Sequence, residues 1–181
     1  AKNNLLFYSS LVLITWNPAL LLEKKCNPLS LLRFLPQKEL RFIAVVPDQP
    51  LSTHKARQAI PQHIPHQDAV FNASRTALYV GALMSGNYQY LNAALEDRLH
   101  QPYRIPLITG TEAVFEAAKA NGAYGAIISG AGSTLMAYVD PEKDCDIIAA
   151  AMTDAFEKYG QRSTAHILKL DLNGAREKEH S

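Results

Sequence analysis

Between residues 40 and 170 the apolar residues of this chain change spacing in a fixed order. A continuous run comes first, then a group of helically spaced stretches, two short runs, another helical stretch and a last run. Few folds accept that order. Residues 42–46 (FIAVV) are uninterrupted by polar residues and closed by Pro47-Asp48, the pattern of a buried central strand. Residues 51–60 read as a short helix with Ser52 or Thr53 near its N-cap and Pro61 as its stop. Asp68 is placed to cap a longer helix, with Val70, Ala73, Ala77, Val80 and Met84 on its apolar face and Gly86 closing it. Asn87 then starts a helix that carries Leu91, Ala94, Leu95 and Leu99 on one side and ends near Gln101-Pro102.

Thr109-Gly110-Thr111-Glu112 fits the capping-box template and opens a helix through Val114, Phe115 and Ala118 to Asn121-Gly122. Residues 126–128 and 134–139 read as strands. Asp140-Pro141-Glu142 reads as a helix start, followed by a face of Ile148, Ala151, Met152, Ala155, Phe156 and Tyr159 and a stop at Gly160. Residues 164–170 form the last strand. The expected class is α+β: a ferredoxin-like βαββαβ plait with extra helices in the first crossover and an antiparallel sheet covered by helices on one face.

Residues 1–39 follow a different pattern. Residues 11–16 are a β-branched run, Asn17-Pro18 is a turn signal, and Leu20-Leu21-Leu22 starts a second strand. Two strands without a helix cannot bury both faces, so this segment needs a packing partner, and its exposed edge predicts a homodimer. The apolar stretch 5–16 is too short, and too interrupted by Ser9, Ser10 and Thr15, to span a bilayer, and no signal-peptide frame surrounds it. The expected organisation is 1–39 as remnant strands, 40–171 as the main domain and 172–181 as a charged tail.

Composition narrows the partners. With 48% hydrophobic and 19% charged residues and a net charge of +1, the 181-residue chain is an ordinary globular protein with no basic stripe for nucleic acid. Cys26 and Cys145 form neither a metal-type CxxC nor a disulfide framework, which predicts reduced thiols and a cytoplasmic setting. His63, His66 and Asp68 have a ligand-like spacing, but Pro65 interrupts it and no third nitrogen or sulfur ligand stands nearby, so no metal site is expected.

Ser129, Gly130, Ala131, Gly132, Ser133 and Thr134 lie between the two middle strands. A Walker-type loop needs a following helix and a lysine, and this one has neither. A tight turn with glycines at positive φ is one reading. An anion nest of consecutive amides with the Ser129, Ser133 and Thr134 hydroxyls is the other.

Four stretches carry a family resemblance: residues 51–57 (LSTHKAR), 68–75 (DAVFNASR), 96–104 (EDRLHQPYR) and 129–134 (SGAGST). In this order and spacing they resemble the C-terminal half of the homoserine kinases, members of the galactokinase, homoserine kinase, mevalonate kinase and phosphomevalonate kinase superfamily. The resemblance implies a ferredoxin-like domain that faces an ATP-binding N-terminal domain across a cleft. It implies transfer of the γ-phosphoryl group of ATP, with Mg²⁺, to the hydroxyl of L-homoserine on the way to threonine. Thr53, Arg57 and Arg104 would then hold the amino acid, the arginines because a planar guanidinium gives a carboxylate two parallel hydrogen bonds. The glycine loop would approach the cleft. No counterpart of the family's P-x-x-x-G-L-G-S-S-A phosphate loop or HPDN stretch occurs in the chain, and Tyr8-Ser9-Ser10 stands where glycines are usual. The chain thus resembles a homoserine kinase without most of its ATP domain. The other expectation this leaves is a catalytically silent binding or oligomerisation module.

Overall fold

A computed structural model describes residues 35–171, together with two short strands, β1 (Phe7–Ser9) and β2 (Val12–Ile14). Those two strands pair antiparallel, Phe7 opposite Ile14 and Ser9 opposite Val12. The strand expected at Leu20-Leu21-Leu22, Cys26 and the tail 172–181 lie outside the described residues.

The main body follows the expected order. It runs β3 (Arg41–Pro47), α1 (Thr53–Gln58), α2 (His66–Ser85), α3 (Leu91–Ala94), α4 (Gln101–Arg104), α5 (Thr111–Ala120), β4 (Gly125–Ile128), β5 (Leu135–Val139), α6 (Cys145–Glu157) and β6 (Ser163–Lys169). Single 3₁₀ turns precede α3 and follow α4. The sheet is antiparallel in the order β4-β5-β3-β6, the strand arrangement of a ferredoxin-like plait. Ile43 pairs with Ala137 on one side and Ile167 on the other.

Both faces of this sheet are covered, which corrects the expectation of helices on one face. Ile43, Val45, Leu135, Ala137 and Val139 point to α5 and α6, where they meet Val114, Ala118, Ile148, Met152 and Phe156. Phe42, Ala44, Ile127, Met136 and Tyr138 point the other way, against Tyr79 and Leu83 of α2 and Leu91 and Leu95 around α3. The helices of the first crossover supply that second layer. The unbroken apolar runs of β3 and β5 have this physical cause, since a strand buried on both sides does not alternate with polar residues. In the second layer the Tyr138 ring meets Phe42 (5.1 Å) and Tyr79 (6.2 Å) edge to face, and the Tyr79 and Tyr138 hydroxyls lie 3.2 Å apart.

The buried face of α2 is also a correction. Asn72, Tyr79, Ala82 and Leu83 are buried, whereas Val70 and Met84 are each 54% exposed. The helix is alanine-rich and apolar on several sides, so its bulkiest groups decide which side turns inward. Asp68 lies in the first turn of α2 rather than at its cap. The capping box does not form: Gly110, at φ 90°, is the cap residue of α5, and the Thr111 hydroxyl donates to Ile108 O. Asp140-Pro141 forms a turn instead of a helix start. Asp144 caps α6 by accepting from the amides of Asp146 and Ile147. Tyr159 stands exposed beyond the end of α6 and lies against Gly110. Among the described residues no helix is long and apolar enough to cross a membrane.

Candidate functional site

The helix expected from Asn87 to Gln101 is broken where the site begins. α3 stops at Ala94, and the chain turns at Asp97, whose side chain is 2% exposed. Its carboxylate accepts from the amides of Leu99 (2.9 Å), His100 (2.9 Å) and Gln101 (2.6 Å) and from Asn72 Nδ2 (2.6 Å). Aspartate favours this local arrangement over continued helix because its short side chain reaches the amides two to four residues ahead. Burial pushes the Asp97 carboxyl up, but the His100 ring and the donors of Gln101, Leu99 and Asn72 outweigh it and hold it well below the usual carboxylate range. His100 Nδ1 stands 3.7 Å from Asp97 Oδ1, an ion-pair separation beyond hydrogen-bond reach.

Gln101-Pro102 therefore opens a helix rather than closing one. α4 is a single turn with Gln101 first and Arg104 last. Its cap residue, His100, offers no side-chain bond, so the Asp97 carboxylate takes that role. Arg104 Nη1 donates to the carbonyl of Gly130 at 2.7 Å, while its Nε is buried without a hydrogen-bond partner among the described residues. Burial lowers the pKa of this guanidinium, Asp97 opposes the shift and Arg57 adds to it. Two arginines are thus within electrostatic reach of each other.

The glycine loop joins β4 to β5 and turns the chain between the two strands. It closes through Ser129 N to Thr134 O (2.8 Å) and Gly132 N to Ser129 O (3.1 Å). Gly130 and Gly132 have φ of 59° and 93°, values that L side chains rarely adopt. They differ in their surroundings. A Cβ on Gly132 would lie 2.8 Å from Ile108 Cδ1 and 3.3 Å from Leu51 Cδ2, whereas one on Gly130 would meet nothing within 4 Å. The loop's Gly132 side packs down, and its Gly130 side is open.

Leu51 links the loop to α1. Ser52 caps that helix by accepting from the Lys55 amide (3.5 Å), so Thr53 is its first residue, exposed, with Arg57 one turn further on and also exposed. The structure thus gathers Arg57, Arg104 and the loop residues Ser129, Gly130, Ala131, Gly132, Ser133 and Thr134 at one end of the sheet, with Thr53 on the same short helix as Arg57.

Arg75 and Asp97 belong to separate polar clusters. Arg75 pairs with Glu96 (2.7 Å) and Arg98 with Asp68 (3.3 Å), and both guanidiniums stack on Phe71, at 4.2 and 3.9 Å from its centroid. Two residues escaped sequence reasoning. Asn72 is buried in α2 and also accepts from the Arg98 amide (2.9 Å), and Gln101 ties α4 to the sheet. The turn-forming potential of Asp97 was the only local signal for this cluster. Among the described residues no group of three or more His, Cys, Asp or Glu is placed to hold a metal ion, and His63 and His66 form no such group with Asp68.

Residues 63–158, more than half of the chain, match the family model for the GHMP kinases C-terminal domain. The chain belongs to the GHMP kinases. The chain is 46% identical over 132 residues to homoserine kinase of Picosynechococcus sp. and 40% identical over 138 residues to that of Persephonella marina. These matches take in 73% and 76% of this chain but 43% and 45% of the relatives, so the chain spans less than half the length of the curated proteins it matches. The crystal structure of homoserine kinase from Cytophaga hutchinsonii superposes with a TM-score of 0.74 at 25% identity, over 78% of this chain and 45% of that one. The family match includes Asn72, Asp97, Gln101, Arg104 and the glycine loop, and begins after α1.

Proposed function

We propose that this GHMP domain is the amino-acid side of a homoserine kinase active site, whose whole protein moves the γ-phosphoryl group of ATP to the hydroxyl of L-homoserine. The carrying observation is the bond from Arg104 to Gly130, which puts a guanidinium with a buried, unpartnered Nε beside the open side of the glycine loop, with Arg57 close by. The names of the 40–46% identical relatives support the choice of homoserine.

Two guanidiniums in electrostatic reach of each other repel, and a bound carboxylate relieves that repulsion. Arg57 and Arg104 are the residues assigned to the homoserine carboxylate, with Thr53 offering a hydroxyl from the start of the same helix as Arg57. Burial at Arg104 strengthens such a pair relative to one in water. ATP and Mg²⁺ fit these residues poorly. The glycine loop has no lysine, no acidic cluster for a cation stands among the described residues, and the sequence holds no P-x-x-x-G-L-G-S-S-A. The residues described here are therefore assigned to binding and orienting the acceptor. That same observation favours a second reading for this polypeptide by itself, a silent binding or oligomerisation module.

Calorimetry of the 181-residue chain with L-homoserine and its methyl ester tests the acceptor role. Homoserine should bind and the ester, which lacks the carboxylate, should bind at least about ten-fold more weakly. Equal affinities would remove the carboxylate clamp. An assay with Mg-ATP and homoserine, a full-length homoserine kinase alongside, separates the two readings, since phosphorylation by the 181-residue chain would overturn the silent one.

A further inference from the structure

Gln101 spends both ends of its side-chain amide. Oε1 accepts from the Ile128 amide at 3.0 Å, and Nε2 donates to Leu95 O at 3.3 Å. Ile128 is the last residue of β4, two positions before Gly130, and it is buried. β4 is an edge strand, paired with β5 on one side only. The Ile128 amide finds its acceptor in a side chain instead of a strand, and without it a buried donor would be orphaned.

We propose that Gln101 is a positioning residue that holds the glycine loop and Arg104 in register. α4 touches the segment leading into the loop at two points, Gln101 on Ile128 N and Arg104 on Gly130 O. The two side chains leave opposite ends of the same helical turn, so the loop and the guanidinium share one rigid support. That support is anchored in turn. The backbone N–H of Gln101 donates to Asp97, and Asp97 in turn accepts from Asn72 of α2. A neutral amide suits the position because it must accept from one side and donate to the other. The consequence for homoserine rests on the reading above, whereas the consequence for the loop does not.

The test uses the 181-residue chain with Gln101→Leu, which removes both functions, and Gln101→Glu, which keeps the acceptor. Amide exchange of Ile128, the NMR signals of residues 129–134 and the affinity for L-homoserine are read in parallel. In Gln101→Leu, Ile128 exchange should rise at least about ten-fold and the loop signals should shift, with homoserine affinity falling on the order of ten-fold. Gln101→Glu keeps the acceptor but loses the donor to Leu95 O, so it should restore slow Ile128 exchange and the affinity only in part. Unchanged exchange and loop signals in Gln101→Leu, or a Gln101→Glu no better than the leucine variant, would overturn the proposal. Loop release in a chain whose wild type binds no homoserine would uphold the positioning role and reject the substrate.

Discussion

Arg104 and Gly130, 26 positions apart, are joined by a 2.7 Å hydrogen bond from guanidinium to loop carbonyl. The arginine is therefore both a candidate ligand for substrate and a strut for the loop beside it. A pure surface charge would be neither.

Arg104→Lys separates those two duties. Lysine keeps the charge but cannot bridge a carbonyl and a carboxylate with a planar fork. Homoserine affinity should fall about ten- to hundred-fold, roughly 1.5–3 kcal/mol. The NMR signals of residues 129–134 should move in the same variant before any ligand is added. Affinity loss with an unmoved loop would assign Arg104 to substrate alone. A moved loop with unchanged affinity would make it a strut alone.

The two loop glycines should respond differently to alanine. At Gly130 the added methyl meets open space, and the cost is that of a left-handed residue, about 1–2 kcal/mol. At Gly132 the methyl also collides with Ile108 and Leu51, so Gly132→Ala should cost more and displace the loop. Thermal denaturation of the two variants checks the order. A Gly132→Ala protein as stable as Gly130→Ala would show that Ile108 and Leu51 yield freely.

The buried hydroxyl pair of Tyr79 and Tyr138 makes a double-mutant cycle informative. Either single change to phenylalanine leaves one buried hydroxyl without its partner, at about 1–3 kcal/mol, whereas the double change should be close to neutral. Additive losses would mean the hydroxyls do not depend on each other. Burial pushes the Tyr138 phenol up to about 12, and the Tyr79 bond opposes that shift. A phenol whose folded pKa is raised stabilises the fold fully below the unfolded value near 10 and loses that contribution as pH rises through 12. Stability should therefore decline between those values, and less steeply in Tyr138→Phe.

Acid should act through Asp97. Its folded pKa is depressed, so its contribution is present above the unfolded value near 3.9 and is lost as pH falls below that, through the folded value. Asp97→Asn should lose about 2 kcal/mol at neutral pH, because an amide NH₂ faces donors where a carboxylate oxygen stood. It should also flatten the loss of stability below pH 4. Urea midpoints at pH 7 and pH 3 give both numbers, and an unchanged acid slope would exclude Asp97 as its source.

The strands and their order were legible because β3 and β5 are buried on both faces and print unbroken apolar runs. Arg57 and Arg104 were singled out through the stretches around them, and Arg104 meets the loop of another such stretch. What stayed hidden depends on partners distant in sequence. Asn72 is polar yet faces inward because Asp97, 25 residues on, takes its donor and the Arg98 amide takes its acceptor. Counting apolar residues along α2 therefore selected Val70 and Met84, which face solvent. Gln101 is an ordinary residue in sequence and acquires its role from Ile128, 27 positions away. Capping templates failed at Thr109 and Asp140 for a related reason. Gly110 accommodates the turn into α5, and Asp140 is occupied by the Tyr124 hydroxyl (2.6 Å), so neither side chain had to serve the helix.

Phe42 and Ile43 are separated by one peptide bond and live in different interiors. The core under α2 and α3 and the core under α5 and α6 are separated by the backbone of four strands. Each side of the sheet is thus a compartment, free to vary its side chains in concert as long as the shared spine keeps its shape. The arginine and its loop sit where the compartments meet. α4 reaches them from one side, while Ile108 and Leu51 support Gly132 from the other.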